Sequence, residues 1–329
     1  MTLGHEHKLG PLPASFKIHH GVRVEVIDGE VHYIDTQTHD VWRITNNKIK
    51  TKGLLPIDNP DGGPTRLVKH AISLTGLFCS AHYHFPVDYL WWLLQYDISN
   101  KDLPGYKLLL SPKSSITDFQ TQWLNIMFPQ IPVENYIYMD PGITVGCLNL
   151  LLPGRTLGRD SYMYRFTRDN LRHIRDRITN RLDLHPQERD TMLLIKRNRN
   201  RELVNWYDVQ ESCLAFCDKY NLKLDVFDDN NVGPVSEQLK RFHKARVVIG
   251  CHGAGNTNII TCQPDTILIE FKLINRFGNS DPDLGSDEPH MYRYLSNQLN
   301  MEYYYLTKSI DQGVDIGKLD KLLEILHIT

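Results

Sequence analysis

The sequence predicts an α/β protein of two domains, and three observations carry that prediction. The chain has 329 residues, which is about twice the common size of a single domain. From residue 192 onward, short apolar runs alternate with helical patterns. Those runs are apolar throughout, as strands are when a parallel sheet is covered by helices on both faces. Composition is ordinary for a globular chain, at 41% hydrophobic and 23% charged, and a chain of this length can bury a sizeable core. We place the two domains at 1–165 and 166–329.

Arg23 to Ile44 alternates apolar and polar residues around Asp28-Gly29 and reads as a hairpin or small meander. A loop rich in Pro, Gly and Asp follows from Leu55 to Thr65. Strands are predicted at Val68–Phe78, Lys107–Leu110, Tyr136–Met139 and Cys147–Leu152. Helices are predicted at Val87–Tyr96 and Ile116–Phe128, and an arginine-rich helix, Tyr162–Leu182, reads as the connector. The second half then alternates cleanly. Its strands are Met192–Lys196, Leu222–Phe227, Arg246–Gly250, Thr266–Phe271 and Met301–Leu306. Its helices are Tyr207–Tyr220, Val235–Ala245, Asn256–Cys262, Met291–Leu299 and Ile316–His327. Pro234 opens the second of these, where its fixed φ suits a first turn.

The net charge of −2 argues against general nucleic-acid binding, which needs a broad basic face. It leaves room for a local basic pocket. The six cysteines are scattered without a CxxC pair, so they read as reduced, buried thiols. Cys213 and Cys217 share a helix face, but no matching His or Cys pair stands near them in sequence. The segment from Met1 to Lys17 has no apolar run, and no stretch approaches the ~20 residues that span a bilayer. The expectation is a soluble, cytoplasmic chain without a transmembrane segment.

Candidate chemistry gathers at three places. In Arg246–Ile260 an apolar strand runs into the turn His252-Gly253-Ala254-Gly255-Asn256 and then into a helix start. In a parallel sheet such a turn lies at the carboxyl end of its strand, where ligands bind. Free N–H groups and the positive helix end suit a diphosphate there. A tight turn without a ligand fits the same residues. In the second place, Arg197, Arg199 and Arg201 alternate after another strand. Guanidinium groups grip phosphate oxygens in pairs, and a solvated charged loop is the alternative. In the third, His84 and Asp88 stand four apart at a helix start. They fit a base with its orienting carboxylate, or a helix cap with a dipole-favoured acid. Glu270 closes its strand and could accept hydrogen bonds from a ribose, or simply end the strand. Asp228-Asp229 and Asp281-Pro282-Asp283 invite a metal, but both lie in turn-like segments where Asp is common.

Taken together in this order, the motifs resemble those of glycosyltransferase family 61. Arg197, Arg201 and Asn205 match its Arg-rich segment. Glu237 and Gln238 match its Glu-Gln helix, and His252-Gly253-Ala254-Gly255 its His-Gly-Ala-Gly turn. Glu270 ends its apolar strand, and His84 with Asp88 match its N-terminal pair. The resemblance spans Ala81 to Phe271. Cys79-Ser80-Ala81-His82 departs from it where the family has Asn ahead of the His, and Asn256-Thr257 departs after the turn.

The resemblance implies a GT-B fold, two Rossmann-like domains facing across a cleft. It implies an inverting transfer of a sugar from a UDP-sugar to a hydroxyl of a glycan acceptor, with xylose favoured over GlcNAc or arabinose. Arg197, Arg201, His252, Gly253, Ala254, Gly255, Asn256 and Glu270 would bind the donor. His84 or Asp88 would be the base. No cofactor is required and no divalent metal is expected, because arginines and a helix dipole neutralise the leaving diphosphate. Nucleic acid is not a partner. A catalytically inactive sugar- or nucleotide-binding protein on the same fold is the competing reading.

Overall fold

The computed structural model describes residues 16–27, 30–35, 41–45, 48–52, 65–75, 85–90, 93–94, 105–113, 118–153, 168–186, 188–198, 202–274, 291–309 and 313–326. The chain divides into two compact units, Met1–Tyr162 and Met163–Thr329. Among the described residues no helix is long and apolar enough to cross a membrane.

The first unit contains β1 (Phe16–Ile27), β2 (Glu30–Asp35), β3 (Val41–Thr45), β4 (Lys48–Lys52), β5 (Arg66–Ser73), β6 (Lys107–Leu110), β7 (Tyr136–Tyr138) and β8 (Val145–Pro153). They form one sheet in the order β4-β3-β2-β1-β8-β5-β6-β7. The expected meander is present and longer than predicted. β1 to β4 pair antiparallel, and Ile27 faces Glu30 at the first turn. Only half of this sheet is parallel. β8, β5, β6 and β7 pair in parallel, and the meander joins the same sheet through an antiparallel β1–β8 pair. Apolar side chains of the parallel half, among them Ala71, Leu109, Ile137, Val145 and Leu150, make its core together with Val24. Helix α1 (Asp118–Met127) buries Trp123, Leu124 and Met127. The strand predicted at Val68–Phe78 starts two residues earlier and ends at Ser73, while residues 76–78 lie outside the described set.

The second unit contains β9 (Thr191–Lys196), β10 (Lys223–Asp228), β11 (Ala245–Cys251), β12 (Ile267–Ile274), β13 (Glu302–Ser309) and β14 (Gly313–Val314). Its sheet runs β10-β9-β11-β12-β13-β14, parallel except for the last strand. The order reverses between β9 and β11. This is the flavodoxin-like arrangement, in which a crevice opens at the carboxyl ends of the two strands at the switch point.

Period-2 alternation sorts this sheet into two faces. Met192, Leu194, Val247, Ile249, Ile267, Ile269 and Phe271 pack on one side with residues of α3 (Trp206–Tyr220) and α6 (Ile316–Ile325), among them Val209, Cys213, Leu319 and Leu323. The other side carries Leu193, Ile195, Val248, Gly250, Leu268 and Glu270, which are buried too. Each fully buried aliphatic side chain contributes about 1.5–3 kcal/mol. The remaining helices are α2 (Arg168–Leu182), α4 (Val235–His243) and α5 (Met291–Gln298), together with a 3-10 helix at Ala254–Thr261. The arginine-rich helix is not a connector. Its described part, Arg168–Leu182, belongs to the second unit and buries Leu171, Ile174 and Ile178. This one-sided apolar stripe was hidden among its charges.

Among the described residues, Cys147, Cys213, Cys217, Cys251 and Cys262 are buried and form no disulfide. Burial pushes the Cys217 thiol up to about 11. Asn205, part of the motif set, is structural. Its side chain donates to Val314 O at 2.8 Å and accepts from Val314 N at 3.1 Å. Gly313 has φ +75°, and a Cβ there would lie 1.9 Å from Asn205 Oδ1. Gly313→Ala therefore combines backbone strain with a clash. A loss of about 1–3 kcal/mol in chemical denaturation is expected.

Candidate active site

The switch point brings together the two loops that sequence analysis singled out. β9 ends at Lys196 and Arg197 follows; β11 ends at Cys251 and the His-Gly-Ala-Gly turn follows. The Arg197 guanidinium lies over Gly253 so closely that a Cβ on the glycine would sit 1.6 Å from Nη1. One strand turn below, a Cβ on Gly250 would lie 2.7 Å from Ile195 Cβ. Both glycines are thus fixed by the approach of the β9 segment. Gly255 differs, because an added Cβ meets Ile195 at an ordinary 3.5 Å. Gly253→Ala should displace Arg197, a flexible end, and leave the fold intact. Gly250→Ala meets a branched side chain and backbone, and should destabilise by about 1–3 kcal/mol. Denaturation midpoints of the two variants check this contrast.

The Arg197 loop is held at both ends. Asn198 donates through Nδ2 to Asp228 at 2.6 Å and to Asp229 at 2.7 Å, and through its backbone N–H to Asp229 at 3.0 Å. The acidic pair considered as a metal site therefore fastens a loop. At the other end Lys308 Nζ donates to Glu202 O at 2.5 Å. Arg199 and Arg201 lie between these anchors, outside the described residues, as do Asp281 and Asp283.

The turn itself presents the start of the 3-10 helix. The first N–H groups of a helix have no intrahelical acceptor, and here they belong to Ala254 and Gly255. Asn256 was expected to offer its amide as well. That N–H donates to Gly253 O at 3.0 Å, and the side chain is fully buried with Nδ2 toward Cys251 O at 3.4 Å. Asn256 shapes the turn from within. Gln238 has a related part in the layer beneath. It accepts from Asn258 Nδ2 at 3.1 Å and donates to Gly233 O at 2.9 Å, tying α4 to the 3-10 helix.

His252 and Glu270 form a buried pair across β11 and β12. His252 Nδ1 bonds Glu270 Oε1, and Tyr303 on β13 donates to Oε2 at 2.5 Å. Glu270 is 0% exposed while the His252 side chain keeps 17%. Glu270 was expected to meet a ribose, but its two oxygens are engaged by the protein. It is placed instead to fix His252 with the proton on Nδ1, which leaves Nε2 as the basic nitrogen of the neutral ring. Burial pushes the Glu270 carboxyl up; the bonds from His252 and Tyr303 and the charge of Lys272 outweigh it and hold the group below its ordinary value. Its stabilising contribution is therefore complete above the unfolded carboxyl range and is lost as pH falls through the lower folded value. Tyr292 closes the turn from α5: its hydroxyl donates to Gly253 O at 2.7 Å, and its ring lies 5.3 Å from that of His252.

Of the other expected residues, His84 lies outside the described set. Asp88 falls in a wide π-type turn, Phe85–Tyr89, whose residues Phe85, Val87 and Tyr89 are buried. That turn opens two residues before the predicted helix. Such turns are frequent at functional sites.

Sequence reasoning missed Tyr303, Tyr292 and Lys272. The predicted strand ended at Phe271, yet β12 runs to Ile274. Had it been extended, the alternation Leu268, Glu270, Lys272 would have exposed a polar row inside an apolar strand.

The switch point of this α/β sheet thus carries a guanidinium, helix-start amides and an oriented imidazole. The sequence matches the family model Glycosyltransferase 61 over residues 82–269, more than half of the chain, and the protein belongs to that family. It is a glycosyltransferase. No curated protein matches the chain. Among solved structures 20 chains match. One is a flavo di-iron protein mutant from Thermotoga maritima, 12% identical with a TM-score of 0.32, over 55% of this chain and 42% of that one. The chain thus spans less than half the length of that protein, and a likeness this slight carries no argument.

Proposed function

We propose that the enzyme moves a sugar from a UDP-sugar to a glycan hydroxyl with inversion, and that the second unit holds the donor. The observation behind this reading is the seating of Arg197 over Gly253 beside the helix-start amides. Two sources of positive charge converge where a diphosphate would leave. Arg197 and the amides of Ala254 and Gly255 bind the diphosphate and stabilise charge on it as the glycosidic bond breaks. Arg201 follows on the same loop and is assigned to the same group. His252, oriented by Glu270, contacts phosphate or sugar. His84 or Asp88 takes the proton of the attacking hydroxyl. Xylose is the favoured sugar, with GlcNAc and arabinose next.

In this scheme the guanidinium charge does the work of a divalent ion. Transfer should continue at full rate in EDTA, and a strict manganese requirement would contradict it. The reading is tested by incubating the protein with UDP-xylose, UDP-GlcNAc, UDP-arabinose and UDP-glucose and measuring UDP release. Release from one sugar, lost in Arg197→Ala, supports it. An enzyme that releases UDP from none of them, with or without acceptor glycans, sinks it.

A further inference from the structure

Lys272 is a buried cation. It lies on β12 two residues beyond Glu270, on the same face, and is 3% exposed. Its Nζ has no hydrogen-bond partner among the described residues. A buried ammonium normally keeps its charge through bonds to acceptors. Lys272 has instead the faces of two tyrosines of β13, Tyr305 at 4.3 Å and Tyr303 at 5.3 Å. Glu270, the acid whose charge acts on it, has given its oxygens to His252 and Tyr303. Arg293 of α5 adds a second positive charge. Among the described residues, Glu270 is the carboxylate whose charge favours the Lys272 ammonium, and Arg293 opposes it. Tyr305, whose ring lies against Lys272, is itself 54% exposed.

We propose that Lys272 is a phosphate-holding residue of the donor site, and that an anionic oxygen of the nucleoside diphosphate completes the bonds its ammonium lacks. This rests on the donor-site reading above. The ligand restores both acceptor and negative charge to a cluster that is short of them. Burial lowers Lys272 to about 8, with Glu270 opposing and Arg293 reinforcing the shift. The groups facing it are Glu270 on its own strand, Tyr303 and Tyr305 on β13 and Arg293 on α5, with His252 behind Glu270. Because the folded value is depressed, the unfolded chain binds more protons between about pH 8 and the ordinary lysine range. The ligand-free protein therefore gains stability as pH rises through that window. Phosphate binding has the opposite trend, since it needs the charged form.

The test is calorimetric titration of the full chain with UDP and with uridine from pH 6.5 to 9.5, alongside melting of the ligand-free protein. UDP affinity should fall above pH 8, and uridine affinity should stay level. Lys272→Met should melt higher than the parent at pH 6.5, bind UDP at least about tenfold more weakly and bind uridine unchanged. Lys272→Arg, whose charge persists, should retain UDP binding at pH 9.5. A merely structural lysine would not separate UDP from uridine. Equal UDP affinity in parent and Lys272→Met, or a flat UDP profile in the parent, overturns the proposal while leaving the donor site standing. Absence of UDP binding by the parent sinks the donor-site reading, and this inference with it.

Discussion

Glu270→Gln lowers turnover by about 10²-fold or more while the protein still folds. The size follows from what general acid–base and positioning groups contribute. The reason lies in hydrogen-bond polarity. Both partners of Glu270 donate: His252 from Nδ1, and Tyr303 from its hydroxyl at 2.5 Å. A carboxylate accepts from both. A carboxamide has one accepting and one donating end, so one partner must reverse. If its NH₂ faces His252, the imidazole proton moves to Nε2 and the nitrogen facing the ligand changes from acceptor to donor. If it faces Tyr303, the hydroxyl must turn away from a buried site. Tyr303→Phe is the companion variant. It leaves His252 on Glu270 Oε1 and removes one donor from a fully buried carboxylate, which costs about 1–3 kcal/mol of stability and a smaller share of turnover. Steady-state kinetics with melting curves separate the two. Equal turnover in Glu270→Gln and the parent would reduce the pair to a structural contact.

Arg197→Ala weakens donor binding by about 10- to 100-fold, since hydrogen bonds to charged groups contribute about 1.5–3 kcal/mol. The loss falls on UDP and on UDP-sugars alike, because the guanidinium addresses the diphosphate. Arg197→Lys rescues it only in part, for an ammonium lacks the planar fork that meets two oxygens at once. Gly253→Ala should reproduce much of the defect without touching the arginine. The new Cβ occupies the space of Nη1 and pushes the guanidinium off the turn. A variant that keeps Arg197 and binds UDP poorly would show that its seat matters as well as its charge. Titration with UDP measures both. Full affinity in Gly253→Ala would mean that the seat is incidental.

Where the physics is local, the sequence was informative. Apolar runs such as Met192–Ile195 and Val247–Ile249 announce buried parallel strands, and the two loops at their carboxyl ends could be read before any coordinates. The switch point could not be read, because strand order depends on which strands pair. The partners of Glu270 were also invisible. Tyr303 lies 33 residues downstream, and only the parallel register of β12 with β13, which sets Leu268 against Tyr303 and Glu270 against Tyr305, brings it near. Asn205 and Asn256 show the opposite failure. Each belongs to a motif, and each bonds the chain itself: Asn205 both backbone groups of Val314, Asn256 the carbonyl of Cys251 through Nδ2 and that of Gly253 through its N–H. A motif identifies residues that matter without telling whether they face a ligand or hold the turn that does. The alternating pattern of the first sheet's antiparallel half was read as a hairpin or small meander, and only the pairing of β1 with β8 makes it continuous with the parallel strands.

The carboxyl ends of β9 and β11 are proposed to bind a nucleoside diphosphate sugar. The most direct test is calorimetric titration of the parent protein and Arg197→Ala with UDP and the four UDP-sugars. Saturable binding of UDP and of one sugar nucleotide by the parent, weakened at least about tenfold in Arg197→Ala, is the predicted result. Binding of equal strength in both proteins would place the donor elsewhere, and no binding of any nucleotide by the parent would contradict the account outright.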